Sequence, residues 1–493
     1  MQYSRNKNAI RSIVLFSLAF MFCGHAFCYA NLSFSGASVM VDASKGNASL
    51  VADGQFLATL YWRVRGALSA PLLVGLLSAL YLTASAALMA DMLRLSHPLS
   101  LFALCGTLTL HISVTAINAS MLHMADAYSL AFLMAVLSAW LCLQHPLGWI
   151  PGAACFAAVP GLAPGMYAAA PALILLVCLL RLLEGEGVRA SMSLLLRSLA
   201  GFALGFALYC AAALLFCRRQ GAALNASFHV AAGLTDAWLL PIRQLFAPTT
   251  AYARLCAFLS GALLALGVLA FIVRVSSLGL SARLSALIFA LLLPLVLGGM
   301  PVFGPVADRP VSHRLVFCLL PIAVIALLEH LYATLSPSRA KALRSIAAAA
   351  FGVTFLSSVV FSNQVYLKKN LEYQSTLSVM TRVIELAEQT EGFDPTTTPV
   401  AIVGTIENSA LSIPHKGFER LAVLDAAANN FTASSQEENT WYFWEIMGYP
   451  FNFVSDYERD LLAYTEAVAA MPAFPQRGCC RMVDGTLVIR LSE

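Results

Sequence analysis

Leu255-Cys-Ala-Phe-Leu-Ser-Gly-Ala-Leu-Leu-Ala-Leu-Gly-Val-Leu-Ala-Phe-Ile-Val273 runs without a charge between Arg254 and Arg274. A helix needs about 20 mostly apolar residues to cross the hydrocarbon of a bilayer, so this stretch reads as a membrane span with a cation at each end. Working outward, runs of the same character cover 10 to 29, 68 to 90, 99 to 117, 128 to 144, 149 to 164, 168 to 183, 195 to 216, 253 to 274, 282 to 301, 314 to 330 and 345 to 361. That makes eleven spans. Pro151, Pro160 and Pro164 interrupt the fifth and sixth, which marks a re-entrant or broken helix there.

Composition agrees with the spans. Hydrophobic residues fill 59% of the 493 positions and charged residues 11%, against about 25% charged in an ordinary soluble domain. No soluble core absorbs that much apolar surface. The expected fold class is therefore an all-α polytopic membrane protein with about eleven transmembrane helices. A net charge of +4 leaves no nucleic-acid footprint. Ten of the twelve cysteines lie in or beside apolar stretches, where they act as small hydrophobes, and their spacing fits no metal-ligand pattern.

The first span follows Arg5, Lys7 and Arg11 and has the outline of a signal peptide; it is read here as a retained helix. Those cations place the N-terminus in the cytoplasm by the positive-inside rule. Eleven crossings then leave the C-terminus outside. Basic residues divide twelve inside to nine outside, a weak bias that gives the outer cations a reason of their own, such as an anionic ligand.

Near residue 362 the composition becomes that of a water-soluble unit, so the chain divides into 1–361 and 362–493. Asn363 to Glu391 reads as a helix, Pro399 to Gly404 as a buried strand, Trp441 to Met447 and Tyr457 to Ala470 as helices, and Thr486 to Arg490 as a closing strand. The expectation is a small extracytoplasmic α/β cap. Its vicinal Cys479 and Cys480 are read as two packed thiols rather than a strained disulfide.

Polar residues that could carry chemistry gather in the outer loops. The first holds Asp42, Asp53, Gln55, Arg63 and Arg65; the second holds His123 and Asp126, where the fourth span begins. Capping that helix is the plainer role for Asp126. Asp308, Arg309, His313 and Arg314 share one short loop before the tenth span. Arginine forks suit phosphate, and snorkelling to lipid headgroups is the competing role. Arg218 and Arg219 read as an interfacial anchor. There is no metal constellation, nucleotide-cradling glycine loop or hydrolase elbow, and no cofactor is expected.

Gly54-Gln-Phe-Leu-Ala-Thr-Leu-Tyr-Trp-Arg-Val-Arg-Gly66 with Ser69 to Ser78, His123-Met-Ala-Asp-Ala-Tyr-Ser-Leu-Ala131, Asn363 to Tyr373, Pro399 to Gly404, Met471 to Pro475 and Val483 to Arg490 together resemble the type-II phage serotype-converting glucosyltransferases and their bacterial relatives. The likeness covers nearly the whole chain in order. It implies a membrane glycosyltransferase of the C-type fold in a bacterial inner membrane. Such an enzyme moves a hexose, glucose foremost, from a polyprenyl-phosphate donor to a surface polysaccharide or lipid-linked glycan such as O-antigen. It further implies a first-loop carboxylate as general base and basic side chains on the donor phosphate. Carried onto this sequence, Asp42 is the favoured base and Asp126 a second acid that orients the acceptor or the base. Arg309, His313 and Arg314 would hold the phosphate, with His123, Arg63, Arg65 and Asp308 as further substrate contacts. Gly36-Ala37 and Gly54-Gln55 depart from the family's acidic and Gly-Arg positions, which keeps a non-catalytic accessory relative in view. A flippase for a lipid-linked glycan is the reading from another class; it calls for polar residues along a mid-membrane path.

Overall fold

The computed structural model describes residues 2–31, 47–66, 70–220, 234–246, 253–299, 311–405 and 436–492. The first passage comprises α1 (Gln2–Ala30), the short α2 (Asn47–Ala52) and α3 (Phe56–Arg65), and α4 (Pro71–Met92). Next come α5 (Pro98–Thr109) and α6 (Ile112–Ser120), α7 (Ala125–Gln144), α8 (Trp149–Leu162), α9 (Ala169–Leu183) and α10 (Val188–Gln220). The bundle ends with α11 (Leu234–Leu245), α12 (Ala253–Ser276), α13 (Leu280–Gly299), α14 (Leu319–Tyr332) and α15 (Pro337–Glu388). Among the described residues, ten helices are long and apolar enough to cross a membrane. The chain is an all-helical multi-pass membrane protein with a small C-terminal sheet.

The expected fifth span departs from the other ten. α8 has 14 residues with Pro160 inside, hence about 21 Å of helix against about 30 Å of hydrocarbon. It nevertheless runs from one end of the bundle to the other. Gln144 at the end of α7 and Glu184 just past α9 line one cavity with Arg94 and His330, so α7 and α9 finish at the same pole. At the opposite pole Gly161 lies against Leu57, and Gly165 against His313. Pro164–Met166 forms a turn of 3-10 helix that leads from α8 into α9. Close packing on α10 holds α8 in place: Gly201 and Gly205 meet the backbone carbonyls of Trp149 and Ala153, where a Cβ would come within 2.9 and 2.5 Å. Small residues are what let membrane helices approach this closely.

The bundle is apolar outside and dotted with polar groups inside. Leu15, Phe22, Leu76, Leu80 and Phe258 are exposed, whereas Ser78, Ser85, Thr109, Ser113 and Asn118 are buried. One internal network ties α1 to α6 and α15. The His25 Nε2–H donates to the Thr109 carbonyl at 2.9 Å, so Nδ1 accepts the Tyr366 O–H at 2.7 Å. Asn118 Nδ2 donates to the hydroxyls of Tyr29 at 2.9 Å and Tyr366 at 3.4 Å. α1 is thus an integral wall of the bundle, with Ile13, Ser17, Met21, His25 and Cys28 buried.

The expected helix beginning at Asn363 is no separate element. α15 continues for 52 residues through position 362, because a change from lipid-facing to water-facing side chains does not interrupt a backbone helix. Two cores divide it instead: Phe361, Val365 and Tyr366 pack in the bundle, whereas Tyr373, Met380 and Val383 pack with the sheet.

The sheet contains β1 (Pro399–Val403), β2 (Asn452–Phe453), β3 (Cys480–Val483) and β4 (Thr486–Arg490) in the order β2-β1-β4-β3. β1 is parallel to β2 and β4, and β3 is antiparallel to β4. Both strands read from sequence are present, and β2 and β3 flank them. α16 (Gln436–Trp441) continues into a π-helical turn over Tyr442–Ile446, while the expected helix from Tyr457 divides into α17 (Asp456–Ala463) and α18 (Glu466–Ala469). α17 opens with a reciprocal capping box between Ser455 and Glu458. The Cys479 and Cys480 sulfurs stand 4.0 Å apart as thiols.

Candidate functional site

In α3, Phe-Leu-Ala-Thr-Leu-Tyr-Trp-Arg-Val-Arg, residues four apart share a face. Tyr61 and Arg65 form one such pair and point inward, while Arg63 and Val64 are exposed on another side. Gly66 ends the helix at φ 103°, a conformation that costs glycine little. The inward pair meets the start of α7. Arg65 Nη1 lies 2.5 Å from Asp126 Oδ1, with the two side chains 2% and 0% exposed. The same nitrogen donates to the His123 carbonyl at 3.1 Å. The Tyr61 O–H reaches Asp126 Oδ2 at 2.9 Å, and the Ala127 N–H reaches Oδ1 at 3.0 Å.

Asp126 is therefore not the helix cap. Met124 takes that position without a side-chain bond, and Asp126 stands in the first turn of α7, whose free N–H groups favour negative charge. A buried carboxylate needs this degree of pairing: the loss of one partner from a buried ion pair costs about 3–5 kcal/mol. Tyr61 also lies 3.3 Å from the hydroxyl of Tyr81 on α4. Burial, then the Tyr81 bond and the Asp126 charge, hold its phenol above the usual tyrosine range, so Tyr61 keeps its proton at neutral pH.

Around this pair, four buried nitrogens have no hydrogen-bond partner: Arg65 Nε and Nη2, Trp62 Nε1 and His123 Nδ1. The Trp62 and His123 rings lie with centroids 5.4 Å apart. Buried donors are nearly always satisfied, and each one left open costs about 1–3 kcal/mol. A cluster of them suits a ligand rich in acceptor oxygens.

Two residues beyond Asp126, the Tyr128 hydroxyl lies 2.8 Å from His313 Nε2. The adjacent Arg314 donates from Nη1 to Gln244 Oε1 at 3.5 Å. Gln244 lines a cavity of about 170 Å³ that also takes in Thr107, His111, Ser260, Thr354 and Ser357. The cavity lies at the break between α5 and α6, where His111 caps α6 by accepting the Ser113 N–H at 3.3 Å.

Of the sequence-derived candidates, Arg65, His123, Asp126, His313 and Arg314 thus gather at the pole that carries the C-terminal sheet. Arg63 does not join them. Asp42, Asp308 and Arg309 lie outside the described residues. Tyr61, Trp62, Tyr81, Tyr128 and Gln244 were not among the candidates. The four-residue spacing of Tyr61 and Arg65 was the available signal for the first of them. Among the described residues no group of three or more His, Cys, Asp or Glu side chains is placed to hold a metal ion. No family model matches the chain, and neither does any curated protein or solved structure.

Proposed function

We propose that the chain is an inverting membrane glycosyltransferase of the C-type fold. It moves a hexose, glucose foremost, from a polyprenyl-phosphate donor to a surface glycan such as O-antigen. The observation that carries this reading is the buried Arg65–Asp126–Tyr61 cluster with its unsatisfied nitrogens. A carboxylate able to receive a proton stands beside donors suited to sugar and phosphate oxygens, and charge stabilisation at the leaving group adds to general-base catalysis. His313 and Arg314 form the donor-phosphate side, and Arg309 of the same sequence loop is proposed as a further phosphate contact. The apolar part of the adjoining cavity suits the first isoprene units. The orientation proposed is N-terminus in the cytoplasm, with the site and the C-terminal unit on the outer face of a bacterial inner membrane.

Reconstitution tests the reading. Purified protein in lipid nanodiscs should move label from polyprenyl-phosphate hexose onto a glycan acceptor and release polyprenyl phosphate. Orientation is tested separately: a reporter active only outside the cytoplasm should be active when fused after Glu493.

Transport of a lipid-linked glycan is the second reading, and the cavity at the α5–α6 break favours it. Polar side chains and unwound backbone at membrane depth are features of transport sites. A transporter would carry the labelled lipid across liposomes with the sugar still attached; a transferase consumes the donor.

A further inference from the structure

We propose that Asp126 receives the acceptor's proton through Tyr61, whose phenol is the group that meets the acceptor hydroxyl. The proposal rests on the transferase reading above. Asp126 is fully buried, and both of its oxygens are engaged. Oδ1 takes Arg65 Nη1 and the Ala127 N–H, and Oδ2 takes the Tyr61 O–H. At 0% exposure the carboxylate offers an acceptor hydroxyl no open approach. Tyr61 is only half-buried. Since its proton points to Asp126, its oxygen is free to accept, and the Tyr81 hydroxyl occupies that direction at a long 3.3 Å. A sugar hydroxyl entering there is one phenol away from the base.

The step balances. As the acceptor oxygen forms its bond to C1 of the donor sugar, its proton passes to Tyr61 Oη and the Tyr61 proton passes to Asp126 Oδ2. The C1–O bond to phosphate breaks, and the phosphate leaves with the electron pair. Tyr61 ends neutral, as it began, and Asp126 ends protonated. The charged and titratable groups facing Tyr61 are Asp126 of α7, Tyr81 of α4 and, one turn along its own helix, Arg65, which also binds the His123 carbonyl.

Tyr61→Phe keeps the ring and removes the relay. In nanodiscs its transfer rate should fall by about 10²-fold, the worth of a general base, while the apparent KM for the polyprenyl-phosphate donor stays unchanged. Tyr61→Phe combined with Asp126→Asn should be no slower than the slower single variant, because the two act as one unit. Where Tyr61→Phe does not accumulate, a difluorinated tyrosine placed at 61 keeps the hydroxyl and lowers its pKa; the alkaline limb of the pH–rate profile should then move down. Wild-type rate in Tyr61→Phe with Asp126→Asn inactive would overturn the relay and leave the transferase reading standing. An unmoved pH profile with the difluorinated residue would do the same. An unsubstituted protein that transfers no hexose would sink the transferase reading and the relay together.

Discussion

The two poles of the bundle treat charge in opposite ways. At one, Arg65 and Asp126 are sealed from solvent at 2% and 0% side-chain exposure. At the other, Arg94 and Glu184 pair at 2.7 Å while 64% and 27% exposed, and Arg344 and Glu329 pair at 2.8 Å while 23% and 18% exposed. The second kind of pair staples helices together at a water interface: Arg94 follows α4, Glu184 follows α9, and Glu329 and Arg344 join α14 to α15. The first kind removes two charges from water and leaves nitrogens beside them unsatisfied, an arrangement that stability alone does not favour. Charge placed at such cost is a mark of function. On the transferase proposal, the contrast favours the Asp126 pole as the place for the transfer step.

Breaking the buried pair should produce the largest effect. Arg65→Ala strands an uncompensated carboxylate and should cost about 3–5 kcal/mol, read as a loss of folded protein in detergent and a lowered Tm. Adding Asp126→Ala should recover part of that loss. An Arg65→Ala protein as stable as the unsubstituted one would mean the pair carries little, and the contrast between the poles would collapse.

A buried polar network without a full charge should rank next. His25→Leu leaves the Tyr366 hydroxyl and the Thr109 carbonyl without their partner, at about 1–3 kcal/mol for an unsatisfied buried group. The same variant checks that α1 stays in the mature protein, since a cleaved first helix would make His25 irrelevant and the substitution silent in Tm.

The smallest effect belongs to the exposed pole. Arg94→Ala should change stability by about 0–1 kcal/mol, the range of surface ion pairs, and the change should shrink further in high salt. A loss as large as that of Arg65→Ala would place a comparable burden on this pole.

How much of this was open to sequence reading depends on what each element exposes. α12 was plain, because its uncharged run matches the span of a bilayer. α8 was flagged by its prolines, yet its traverse depends on glycine packing with α10 that no local pattern records. The unbroken passage of α15 from bundle to sheet was hidden by a change in composition, which tracks solvent and not backbone geometry. At the site, His123 and Asp126 stood out as polar residues at a span's edge. Their partner Arg65 lies 61 positions away from Asp126, so the pairing exists only once α3 folds beside α7. For Tyr61 the only sign was its four-residue spacing from Arg65, and a tyrosine beside a tryptophan otherwise has the composition of an ordinary interfacial belt.

The most direct measurement compares the unsubstituted protein with Asp126→Asn, each reconstituted in nanodiscs and normalised to folded protein. It follows labelled hexose from a polyprenyl-phosphate donor to a glycan acceptor, with Asp42→Asn run beside it as the competing carboxylate. The expected result is transfer by the unsubstituted protein and a fall of roughly 10²-fold or more in Asp126→Asn. Transfer at the unsubstituted rate in Asp126→Asn would contradict it, and a loss confined to Asp42→Asn would give the base to the first loop.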